Sequence, residues 1–184
     1  MLSARAHAEF EARIPAGSVA LEGTLGVPLA ACGIVLFAHG SGSSRFSPRN
    51  NFVAEALRRH RLATLLIDLL TKAEDQDYAM RFDIDLLTQR LEAVAHWIRR
   101  ESEVRELPLG LFGASTGAAS ALRLAARLGS GVGAVVSRGG RPDLAAAALP
   151  LVTAPTLLIV GGRDDVVLEL NRRALEQLRC RKKL

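Results

Sequence analysis

A chain of 184 residues, 49% of them hydrophobic, is long enough for one well-buried domain and short for two. No apolar run nears the ~20 residues that cross a bilayer, and Arg5, Glu9, Glu11 and Arg13 stand where a secretory signal would be apolar. Cys32 and Cys180 lack any metal-ligand or C-x-x-C spacing, and six of the basic residues behind the +5 net charge crowd into 171–184, so neither nucleic acid nor membrane is an expected partner and a reducing, cytoplasmic setting is expected.

In chain order, residues 1–17 mix charges with small side chains and read as an extension or linker, leaving 18–184 as the domain. Apolar Val19, Leu21, Leu25 and Val27 predict an outer antiparallel strand that Pro28 ends. Residues 33–38 form a continuous apolar run of the kind buried on both faces of a parallel sheet. The polar loop His39-Gly40-Ser41-Gly42-Ser43-Ser44 follows, then a helix over about 48–60 and a buried strand over 63–69 with Asp68 near its end. Ile84, Leu87, Leu91, Val94 and Ile98 recur at helical spacing. Strands are predicted over 109–112, 132–136 and 156–160, with helices after the first and last of these. Strands alternating with helices at short spacing predict an α/β fold with a doubly wound, mostly parallel sheet, whose functional loops gather at the strands' carboxyl ends.

One of those ends carries Gly113-Ala114-Ser115-Thr116-Gly117, the G-x-S-x-G spacing of a nucleophile elbow. A serine on so sharp a strand-to-helix turn is strained and needs neighbours almost without side chains, which Gly113, Gly117, Ala118 and Ala119 provide. The turn presents the Ser115 hydroxyl at the sheet edge and aims the free N–H groups of the helix at whatever it attacks. An oxyanion hole is predicted from the N–H of Thr116 and that of Ser41. A carboxylate to orient a base falls just past the strand over 156–160; Asp164 is favoured over Asp165, although either suits a helix N-cap.

With Phe37-Ala38-His39-Gly40-Ser41-Gly42-Ser43-Ser44, the G-A-S-T-G block and Leu158-Ile159-Val160-Gly161-Gly162-Arg163-Asp164-Asp165-Val166-Val167 in view, the chain resembles the α/β-hydrolase superfamily, and within it the dienelactone-hydrolase-like group. The resemblance implies hydrolysis of esters, thioesters or lactones with no metal or organic cofactor. Dienelactone hydrolases proper carry a cysteine where this chain has Ser115, which points to general esterase chemistry. The family's histidine lies on a loop one strand beyond Asp164, and no histidine follows Asp164 here. The expectation is therefore an α/β-hydrolase fold lacking its C-terminal strand and helix, nearly inactive alone. Its strand over 156–160 would be an unprotected edge, and 181–183 a cut or disordered end. Among the four histidines only His39 lies near the elbow, as an alternative base.

The stretch between Val136 and Pro155 is too short for a substantial helical lid and holds Arg138 and Arg141 beside the elbow. They are candidate substrate contacts for small esters bearing a carboxylate or phosphate, the alternative being that Arg141 simply pairs with Asp143. Two readings from other classes stay open. One is a non-catalytic, small-ligand-binding relative of the hydrolases. The other is a dinucleotide binder, from Gly40-Ser41-Gly42 after a strand with Asp68 at the end of the next, although Arg45 stands at the third glycine position.

Overall fold

The structure, a computed structural model, describes residues 7–184. In chain order it contains β1 (His7–Ala16), β2 (Val19–Pro28), β3 (Gly33–Ala38), α1 (Pro48–Arg59), β4 (Leu62–Ile67), α2 (Ile84–Ile98), β5 (Leu109–Ala114), α3 (Thr116–Leu128), β6 (Ala134–Arg138), β7 (Thr156–Ile159), α4 (Asp165–Gln177) and β8 (Lys182–Lys183). The strands form one sheet in the order β1-β2-β4-β3-β5-β6-β7-β8. β1 and β2 form an antiparallel ribbon, β2 joins β4 antiparallel, and every pairing from β4 to β8 is parallel. The expected α/β class and mostly parallel sheet are what the chain adopts.

The apolar runs account for the layering. Alternate residues of the central strands, among them Ile34, Leu36, Leu65, Leu111 and Val135, join Leu91, Val94, Leu122 and Ala174 in one large core beneath α2, α3 and α4. The opposite face carries a smaller core of Phe37, Leu66 and Phe112 under Ala54 of α1. Beyond α1 that face is open over β7, where Leu157 and Ile159 are exposed. Both N-caps in the first half of the chain are side-chain caps of the preferred kinds. Ser47 accepts from the Asn50 N–H with Pro48 in the first turn of α1, and Asp83 accepts from the Leu86 N–H at the start of α2. No helix among the described residues is long and apolar enough to cross a membrane.

Two expectations are corrected. Residues 7–16 are not a linker but the outermost strand: β1 pairs along its whole length with β2, and Ile14 is fully buried. Mixed charge misled because a ribbon with one solvated face carries it freely, and Glu9 and Glu11 of β1 meet Arg58 and Arg45. β2 is accordingly interior to the sheet. Residues 1–6 of the predicted extension lie outside the described residues. Secondly, β7 is not a bare edge, since Lys182–Lys183 pairs in parallel with Thr156–Leu157, and the Thr156 N–H donates to the Arg181 carbonyl at 2.9 Å. A two-residue strand, β8, therefore follows α4 where the sequence predicted none. The stretch after β6, for which no element was predicted, holds a ten-residue 3₁₀ segment, Pro142–Leu151. It buries Ala145 and Leu149 against the large core, so it serves as packing and not as a lid.

Candidate active site

β5 ends at Ala114, and the next residue turns the chain into α3. Ser115 takes φ 51° and ψ −122°, a left-handed backbone conformation that a residue with a Cβ adopts only under constraint. Neighbouring elements press close enough to enforce it. A Cβ on Gly117 would be driven into the Ala38 and His39 carbonyls, 2.7 Å from the Ala38 carbonyl carbon. One on Gly113 would lie 2.7 Å from the Ala118 nitrogen, and one on Gly40 2.8 Å from Ser115 Cβ. Ala118 and Ala119 are fully buried, which brings α3 down onto the sheet. Ser115 itself is exposed, and no described residue hydrogen-bonds its hydroxyl. The predicted elbow is present in geometry as well as in spacing.

The two N–H groups predicted as oxyanion donors are held differently. Thr116 is the first residue of α3, so its N–H has no carbonyl within the helix to bond. The Ser41 N–H, the second predicted donor, is already engaged by the Thr116 hydroxyl oxygen at 3.0 Å. Thr116, 2% exposed, therefore braces the loop after β3 against the elbow. This side-chain role left no trace in the motif. His39 is committed as well. Its Nε2 accepts from the Leu69 N–H at 3.2 Å, which makes Nδ1 the protonated nitrogen, donating to the Gly40 carbonyl at 2.9 Å. With both ring nitrogens used to shape the loop, His39 has no lone pair to offer Ser115. His60 closes α1, its Nδ1 against the Ala56 carbonyl, and His96 lies in the last turn of α2.

Asp164 caps α4, its Oδ1 accepting from the Val167 N–H at 3.2 Å, and it is exposed beside Asp165. No histidine among the described residues pairs with it. The two arginines after β6 differ sharply. Arg141 is forked onto Asp143 (Nε–Oδ1 2.9 Å, Nη2–Oδ2 2.7 Å), which holds its proton more tightly than usual. Arg138 pairs in register with Ala114, and its carbonyl accepts from the Ser115 N–H at 3.3 Å. Its guanidinium lies 5.6 Å from the Phe112 ring centre and donates to Asn50 Oδ1 at 3.0 Å. Burial, then the charge of Arg49, makes it a weaker holder of its proton.

Asp68, the carboxylate of the dinucleotide reading, accepts from the Arg45 N–H at 2.6 Å and pairs with the Arg45 guanidinium. It is thus spent on folding the loop after β3 back over β4. That loop walls a cleft of about 390 Å³ with His39, Ser43, Leu70 and Lys72 among its lining. Among the described residues no cluster of three or more His, Cys, Asp and Glu could hold a metal.

A strained, exposed serine between a buried parallel strand and a close-packed helix defines an α/β-hydrolase type of site. Comparison with known proteins narrows the class. No family model matches the chain. The crystal structure of a dienelactone hydrolase from Anabaena variabilis superposes with a TM-score of 0.93 at 53% identity, covering 97% of this chain and 84% of that one. The chain belongs to the dienelactone hydrolase family. Est1E from Butyrivibrio proteoclasticus shares the fold at a TM-score of 0.80 and 15% identity, over 94% of this chain and 87% of its own. A protein found in two strains of Mycobacterium tuberculosis and described as a "putative phosphoribosyl transferase" is 57% identical over 164 residues. That match takes in 89% of this chain but 37% of the relative's length.

Proposed function

We propose that the chain is a serine hydrolase of the dienelactone-hydrolase type acting on small esters, thioesters or lactones, anionic ones among them. The observation that supports it is Ser115: a non-glycine residue at φ 51° with an unpartnered, exposed hydroxyl. Strain of this kind persists only where the surroundings over-determine it, as nucleophile elbows do. Ser115 Oγ attacks the acyl carbon, and the developing oxyanion takes hydrogen bonds from the Thr116 N–H and from the Ser41 N–H, displacing the Thr116 hydroxyl as its acceptor. The leaving alcohol or thiol departs, and water releases the acyl group from Ser115. No metal or organic cofactor is called on.

The proton from Ser115 needs a base that His39, His60 and His96 do not supply as they are held here; an added imidazole, oriented by Asp164, takes that proton and returns it to the leaving alcohol or thiol. Arg138 faces anionic substrates, and Arg141 does so only when it leaves Asp143. The mycobacterial relative is a longer protein of which this chain spans 37%. A second reading, a non-catalytic ligand-binding relative, draws on the engaged His39 and Ser41. Intact-mass analysis after treatment with a fluorophosphonate probe decides between them. Added imidazole should promote a single adduct that maps to Ser115 and is missing in Ser115→Ala. An adduct elsewhere, or none with imidazole present, would favour the binding reading and end the catalytic one.

A further inference from the structure

The carboxyl edge of the sheet is rich in arginine, and most of that charge is spent. Arg45 meets Asp68, Glu11 and Glu22, Arg81 meets Asp75, and Arg141 meets Asp143. Arg138 and Arg49 are different. Neither has a carboxylate partner among the described residues, yet they are close enough for the charge of Arg49 to act on Arg138. Asn50 connects them: it follows Arg49 in the first turn of α1, is 2% exposed, and its Oδ1 holds Arg138 Nη2 at 3.0 Å. With its fork fixed at that end and laid over Phe112, Arg138 keeps Nε and Nη1 for another acceptor. The first turn of α1 contains no acid, so the positive end of the helix dipole adds to the two guanidinium charges.

Two like charges near one another beside a helix N-terminus repel unless an anion joins them. We propose that Arg49, Asn50 and Arg138 form an anion subsite beside the elbow that takes the phosphate monoester group of a substrate. A carboxylate neutralises one of the two charges. A phosphate dianion neutralises both and has enough oxygens to accept from both forks at once. The subsite lies at the substrate's end of β6, because Arg138 pairs with Ala114 and its carbonyl receives the Ser115 N–H. This inference deepens the hydrolase reading and rests on it for the word substrate; the binding itself does not depend on Ser115.

Isothermal titration with phenyl phosphate and benzoate, two probes alike but for the anion, tests it. At pH 7.5 phenyl phosphate should bind at least about tenfold more tightly than benzoate. That margin should shrink at pH 5, below the second phosphate pKa near 6. Arg49→Gln and Arg138→Gln should each weaken phenyl phosphate binding about tenfold or more, the worth of one charge-assisted contact. Arg163→Gln, an exposed arginine in the turn after β7, should leave it unchanged. Equal affinity for the two probes, indifference to Arg49→Gln, or an equal loss in Arg163→Gln would overturn the subsite. Ser115→Ala should bind phenyl phosphate as the wild type does. Lost phosphate preference with Ser115 still labelled by fluorophosphonate therefore refutes the subsite alone, and the reverse result refutes only the hydrolase.

Discussion

Replacing Ser115 by glycine should make the protein more stable while removing its nucleophile. At φ 51° and ψ −122° the serine occupies a region where a side chain costs about 1–3 kcal/mol. Glycine removes that cost but loses more chain entropy on folding, about 0.5–1 kcal/mol relative to alanine. The Ser115 hydroxyl has no hydrogen bond to forfeit and its side chain is exposed, so little packing is lost. The balance is a gain of about 1 kcal/mol, or a rise in Tm of roughly 2–4 °C for a chain of this length. Ser115→Ala keeps the Cβ, and with it the strain, so its Tm should stay near that of the wild type. Paired thermal melts followed by circular dichroism, with chemical denaturation as a check, read the difference. The decisive comparison is glycine against alanine, since both lack the hydroxyl. A Ser115→Gly protein no more stable than Ser115→Ala would mean that the turn stores no strain, and the central support for the nucleophile assignment would fall.

Three further outcomes are expected. Gly117→Ala should cost about 3 kcal/mol, because the new methyl is forced into the rigid backbone carbonyls of Ala38 and His39; Gly161→Ala, with open space around it, should move the denaturation midpoint far less. Glu74 accepts from both nitrogens of nearly buried Arg90 (2.6 and 3.2 Å) and from the Thr71 N–H, and the Arg90 bond first of all holds its carboxyl below the usual range. Its stabilisation is thus complete above the ordinary carboxyl pKa and lost as pH falls through the lowered one. Glu74→Gln should be weaker by about 3 kcal/mol at pH 7, with the gap to wild type closing below pH ~4; a gap constant with pH would refute this. Asp143→Ala should change stability by less than about 1 kcal/mol, because the pair is part-exposed. With imidazole added, it should also lower KM for a carboxylate-bearing ester more than for its neutral analogue, and unchanged KM values would make Arg141 purely structural.

Much of this is legible in the sequence. The parallel strands announced themselves because a strand buried on both faces must be apolar throughout, as in 33–38 and 109–112. The elbow was legible because its constraint is local: the conformation at Ser115 depends on residues two places away, and only glycine meets it at Gly113 and Gly117. β1 was hidden because alternating charge on a half-solvated ribbon looks like a linker until its partner strand is known. β8 was hidden because a short parallel strand takes its hydrogen bonds from a neighbour and needs no pattern of its own.

The amino-acid order alone therefore settled the class of fold, the position of the strained serine and the set of polar groups along the sheet's carboxyl edge. It could not settle how those groups are spent, because partners are chosen across the sheet by residues far apart in the chain. Tertiary packing closed both nitrogens of His39, tied Asp68 to Arg45 and Arg141 to Asp143, and turned Thr116 into a brace for Ser41. The same packing left Arg138 with an uncharged partner, Asn50, and a second arginine for company. Hydrogen-bond and charge satisfaction is an account that closes only in three dimensions, and it leaves its unspent remainder at Ser115 and at Arg138.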